Sequence, residues 1–127
     1  MKFKYAILYV NDVAKTLDFY HQAFGMKCAF LHESGDYGEL DTGSTTISFS
    51  SLALMNQLGK GAISPNPQAP VFELAFETDE VEKALNQAVL AGAKLVQSAE
   101  IMPWGQTTAY VHDINGFLIE ICSPVSA

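Results

Sequence analysis

PWGQTTAYVHDINGFLIEI, residues 103–121, decides the fold. It contains a strand pattern (Gln106–His112), a turn (Asp113–Gly116) and a second strand pattern (Phe117–Ser123). A single carboxylate, Glu120, sits among Phe117, Leu118, Ile119 and Ile121. On a strand, side chains alternate between faces, so Glu120 points away from its apolar neighbours Ile119 and Ile121. It therefore faces either open water or a polar pocket.

Upstream, the same grammar occurs twice. Residues 3–10 (FKYAILYV) are short and β-rich. Asn11–Asp12 can cap a helix whose apolar stripe is Val13, Leu17, Tyr20 and Phe24, with Gly25 as its stop. Strands follow at 26–33, Tyr37–Leu40 and Thr45–Ser50, separated by Ser34–Gly35–Asp36 and Thr42–Gly43–Ser44. Val71–Thr78 opens the second round, with Phe72, Leu74 and Phe76 facing inward and Glu73 facing outward. Asp79 is expected to cap a helix with the stripe Val81, Leu85, Ala88 and Val89, which ends at Gly92. Strands at Lys94–Ala99, Gln106–His112 and Phe117–Ser123 complete it. The repeat has a constant offset in its helices: 81 − 13 = 68 for the valines and 85 − 17 = 68 for the leucines. Near the last strands the offset is 119 − 47 = 72. The chain thus reads as one domain of two modules, 1–51 and 71–127. Residues 52–70 join them as a Gly- and Pro-rich stretch with a helical turn at Ala53–Leu58.

Composition narrows the function. At 127 residues, 49% hydrophobic and 17% charged, the chain can build a packed core. A formal charge of −7 disfavours nucleic acid as a partner. No apolar run reaches the ~20 residues that span a bilayer, and the N-terminus reads as a strand, so a cytoplasmic protein is expected. Cys28 and Cys122 lack CxxC spacing and sit in apolar surroundings. Buried free thiols are expected, with a disulfide as the alternative.

Three segments, YVNDVAKTLDFYHQAFGM at 9–26, ELAFETDEVEKALNQAVLAGAKLV at 73–96 and the stretch at 103–121, together resemble the vicinal oxygen chelate superfamily. This is the superfamily of glyoxalases, bleomycin-resistance proteins and extradiol dioxygenases. Asp113–Ile114–Asn115–Gly116 stands where the family usually has an Asp-Pro-Asp-Gly turn. The resemblance implies an α+β fold of paired βαβββ modules, forming a curled mixed sheet around a cavity. It also implies a homodimer that shares the cavity between subunits.

Metal-dependent members of the superfamily place ligands on the first and last strand of each module. Carried onto this chain, those positions are Tyr5, Ser48, Glu73 and Glu120. A phenol and a hydroxyl replace two of the usual imidazole or carboxylate donors, so no metal cofactor is expected. If a divalent cation such as Mg²⁺ or Mn²⁺ binds, Glu73 and Glu120 are its expected ligands. His21, His32 and His112 are read as surface or locally bonded residues. Trp104, Gln106 and Tyr110 are candidate ligand contacts, and Glu73 is expected opposite Glu120 across the sheet. Two functions follow from this reading. The first is a metal-free binding protein for a cationic or aromatic small molecule. The second is a lyase, isomerase or dioxygenase, with Glu120 or Glu73 as a general base. A vestigial interaction domain is a third class.

Overall fold

The computed structural model describes residues 1–125. It divides into two compact units, Met1–Ser64 and the segment from Pro65 onward, and each repeats one plan. In the first, β1 (Ala6–Val10), α1 (Val13–Phe24), β2 (Lys27–Leu31), β3 (Tyr37–Asp41) and β4 (Thr46–Ser51) are followed by a short helix, α2 (Leu52–Gln57). In the second, β5 (Glu73–Glu77), α3 (Val81–Leu90), β6 (Lys94–Ile101), β7 (Thr107–His112) and β8 (Leu118–Cys122) follow in the same order. The sheets run β1-β4-β3-β2 and β5-β8-β7-β6. The first strand of each pairs parallel with the last, and the other neighbours are antiparallel.

Local chemistry sets these elements. Asp12 caps α1 by accepting from the Lys15 amide at 3.0 Å. Gly25 ends the helix at φ 71°, which glycine adopts without the steric cost of a Cβ. The buried face of α1 carries Val13, Leu17, Tyr20 and Ala23. It packs on the inward residues of β3 and β4, namely Gly38, Leu40, Ile47 and Phe49. Gly38 is required by close approach: a Cβ there would stand 2.6 Å from Leu17 Cδ1 and 3.2 Å from the Phe30 carbonyl oxygen. The Tyr20 and Phe49 rings lie 5.2 Å apart at the centre of this layer. In the second unit Val81, Leu85 and Ala88 of α3 face Ala109, Val111, Ile119 and Ile121.

Several expectations need correction. The α3 N-cap is Glu80, without a side-chain bond, and not Asp79; the Thr78 hydroxyl takes the Glu80 amide at 3.2 Å. Val89 is 42% exposed because it lies roughly 80° around the helix from Val81. Phe72 precedes β5, is 49% exposed, and packs edge-on to Phe117 at 6.0 Å. Both cysteines are free, but only Cys122 is buried. Cys28 is exposed, as is every residue of β2, an edge strand of the first sheet. Burial raises the Cys122 thiol pKa, and the Glu120 and Glu77 charges add to it. Among the described residues no helix is long and apolar enough to cross a membrane.

Candidate functional site

Each sheet has a helix-covered face and an opposite face that carries polar side chains. In the second unit Ile119 and Ile121 go to the helix side, so Glu120 goes to the other. The pairing register places Tyr110 directly opposite Glu120 on β7 and Ala75 opposite it on β5. Glu73 pairs with Leu118, so it is the diagonal neighbour of Glu120 and not its direct partner. The parallel β5–β8 register runs two residues out of step with the expected pairing. A diagonal neighbour still lies within reach of long side chains, and the two carboxyl groups interact. The sequence offsets hold: Ile7 pairs with Ser48 as Ala75 pairs with Glu120, with 7 + 68 = 75 and 48 + 72 = 120.

Burial raises the Glu120 carboxyl above its ordinary 4.5, and the neighbouring Glu73 carboxyl raises it further; a hydrogen bond from Tyr110 acts in the other direction. Burial also raises the Tyr110 phenol, as do the charges of Glu120 and Glu73. Two carboxylates and a phenol on one face make a site that gains when a cation or a proton arrives. The folded state holds the Glu120 proton more tightly than the unfolded state does. Ionising Glu120 therefore costs stability, a cost absent below 4.5 that grows as the pH rises through the folded value. Glu120→Gln should gain stability relative to the native chain as the pH rises from about 5 to about 8. Urea midpoints at both pH values check this; a pH-independent difference would contradict it.

The equivalent face of the first unit is closed. Tyr37 Oη lies 2.7 Å from Glu39 Oε2 and 3.0 Å from Ser48 Oγ. A carboxylate only accepts, so the phenol donates to Glu39 and the Ser48 hydroxyl donates to the phenol oxygen. Burial and this carboxylate push the Tyr37 phenol up to about 12, against the Ser48 bond. Ser48 is 0% exposed. Tyr5 lies just ahead of β1 and also interacts with Tyr37. Sequence reasoning missed Tyr37 and Glu39. Their signal was the alternation in YGELD, where Gly38 and Leu40 take the core side.

Trp104 and Gln106 form a separate cluster beside the end of β8. Trp104 Nε1 donates to Gln106 Oε1 at 2.8 Å, and Gln106 Nε2 donates to the Ser123 carbonyl at 2.9 Å. The Gln106 amide thus has partners at both ends, while the Trp104 ring is 61% exposed. His21 Nδ1 lies 3.3 Å from the Met26 carbonyl, and His32 Nδ1 lies 2.8 Å from Ser34 Oγ.

The four positions implied by the superfamily resemblance do not fit a four-ligand transition-metal site. Ser48 is buried, and its neutral hydroxyl is committed as a donor to Tyr37. Tyr5 offers a phenol where imidazole or carboxylate is needed. Among the described residues no group of three or more His, Cys, Asp or Glu side chains could hold a metal ion.

Comparisons with known proteins agree with this architecture. The model of a family described as Glyoxalase-like domain matches residues 3–126. Protein YraH of Bacillus subtilis (strain 168) is 27% identical over 125 residues, 95% of this chain and 97% of YraH. A glyoxalase/bleomycin resistance protein/dioxygenase family enzyme from Burkholderia phytofirmans PsJN superposes with a TM-score of 0.82 at 23% identity, covering 97% of this chain and 98% of its own. A glyoxalase-related enzyme from Fulvimarina pelagi gives 0.80 at 20% identity, covering 98% and 88%. The α+β fold is glyoxalase-like.

Proposed function

Because the chain belongs to the glyoxalase-like domain family, whose fold alone fixes no activity, we propose that it is a small-molecule-binding protein that takes a cationic, flat ligand without a metal. One observation carries this reading: Glu73 and Glu120 are brought together with Tyr110 on the uncovered face of the second sheet. A ligand cation relieves the repulsion between the carboxylates, and flat apolar surface suits the phenol beside them. The chain's net charge of −7 favours approach of a cation. A homodimer in the cytoplasm is the proposed state. The unpaired sheet edges β2 and β6 support the dimer, since they expose Phe30, Leu31, Leu95 and Val96.

The raised pKa of Glu120 favours a second reading, metal-free acid–base catalysis with Glu120 as the base. Metal analysis of the purified protein tests the metal-free part of both. Substoichiometric Zn, Ni, Mn and Fe is expected. A stoichiometric metal that is lost in the Glu73→Ala/Glu120→Ala protein would overturn it.

A further inference from the structure

The carboxylate pair is one end of a longer pattern. The registers align Glu73 on β5 with Leu118 on β8, Leu118 with His112 on β7, and His112 with Lys94 on β6. Directly paired residues project from the same face of a sheet. The neighbouring row on that face is Ala75, Glu120, Tyr110 and Gln97. Acids therefore occupy the β5–β8 side and bases the β7–β6 side, with Leu118 and Tyr110 between them. Glu120 is diagonal to His112, roughly 7–8 Å away along the backbone. Glu73 stands two strands from His112, roughly 10 Å.

Lys94 and His112 also share a cavity of about 190 Å³, walled by Pro67, Gly92 and Gly116. The two glycines leave its wall without side chains at those points. Asp113 borders the same cavity, but it is buried, and its Oδ1 accepts from the amides of Asn115 and Phe117, each at 2.9 Å. That carboxylate is turned into its own turn. The side chains of Lys94 and His112 make no hydrogen bond or ion pair among the described residues. The Lys94 ammonium beside an imidazole that can donate an N–H is a local anion-favouring corner in a chain that is acidic overall.

We propose that this face takes a dipolar small molecule: its cationic group lies on Glu73 and Glu120, and its carboxylate or phosphate end enters the cavity beside Lys94 and His112. The inference rests on the cation-binding reading above and narrows the ligand from a cation to a zwitterion. Leu118 and Tyr110 give the body of the ligand an apolar and an aromatic surface between its charged ends. An ammonium holds an oxyanion as a point charge, and an imidazole N–H adds a directed donor.

Three probes separate the two ideas: 4-amidinobenzoate, which carries both charges, 4-amidinobenzamide, which keeps only the cation, and benzoate, which keeps only the anion. Titration calorimetry on the full chain should show 4-amidinobenzoate binding at least ~10-fold more tightly than 4-amidinobenzamide, with benzoate weaker than either. Lys94→Ala should remove that advantage without weakening 4-amidinobenzamide; Lys94→Gln should do the same while keeping the side-chain bulk. Equal affinity for the two amidines, or a Lys94 effect of equal size on both, would overturn the dipolar site and leave the cation reading standing. Failure of both amidines to bind would overturn both.

Discussion

Replacing Phe49 with alanine should cost about 3–5 kcal/mol of stability, the range for removing a large buried aromatic ring. Phe49 is 0% exposed and lies in the middle of β4, where its ring meets Tyr20 at 5.2 Å. Tyr20 in turn stacks edge-on with Phe19 at 5.4 Å and tilts against Phe24 at 5.5 Å. The cavity left by the ring cannot collapse easily, because Gly38 already brings the sheet against Leu17. A loss of this size is a large share of the ~5–15 kcal/mol that holds a typical domain together. Urea denaturation followed by circular dichroism reads the effect, and Phe49→Leu should recover most of it because it restores volume. A Phe49→Ala midpoint close to that of the native chain would contradict the packing described for the first unit.

The second large effect concerns binding. Glu73→Gln/Glu120→Gln should weaken benzamidine binding by ~10-fold, about 1.4 kcal/mol. Glu73 is exposed and Glu120 half-buried, so water screens each ion pair with the ligand to about 0.5–1 kcal/mol, and here both charges go. The amides keep the shape of the carboxyls, so the change isolates charge. Glu120→Gln alone should cost less, since Glu73 still carries a charge toward the ligand. Without ligand, the double variant should be no less stable than the native chain, because the variant lacks the repulsion that raises Glu120. Equal benzamidine affinity in both proteins would remove the pair from the site.

Much of the fold was legible because its signals are local. The Val13–Leu17–Tyr20–Phe24 stripe, the Asp12 cap and the Gly25 stop all depend on residues within one helix. Glu120 could be assigned to the open face from alternation alone. What stayed hidden depends on pairing between strands. The sequence pattern puts Glu73 opposite Glu120, whereas the strand register puts it at a diagonal. Tyr37 and Glu39 became visible only when β3 was laid beside β4, which brings Glu39 opposite Ser48. Lys94 and His112 lie 18 positions apart (112 − 94 = 18) and meet only through the β6–β7 register. Cys28 lies on β2, an edge strand exposed along its whole length, which its apolar neighbours Ala29, Phe30 and Leu31 do not signal.

Titration calorimetry of the native chain with benzamidine and with its neutral counterpart benzamide tests cation binding at the Glu73–Glu120 pair most directly. The expected result is measurable benzamidine binding that weakens as salt is added, with benzamide at least ~10-fold weaker. Equal affinity for the two, or no benzamidine binding at low salt, would contradict it.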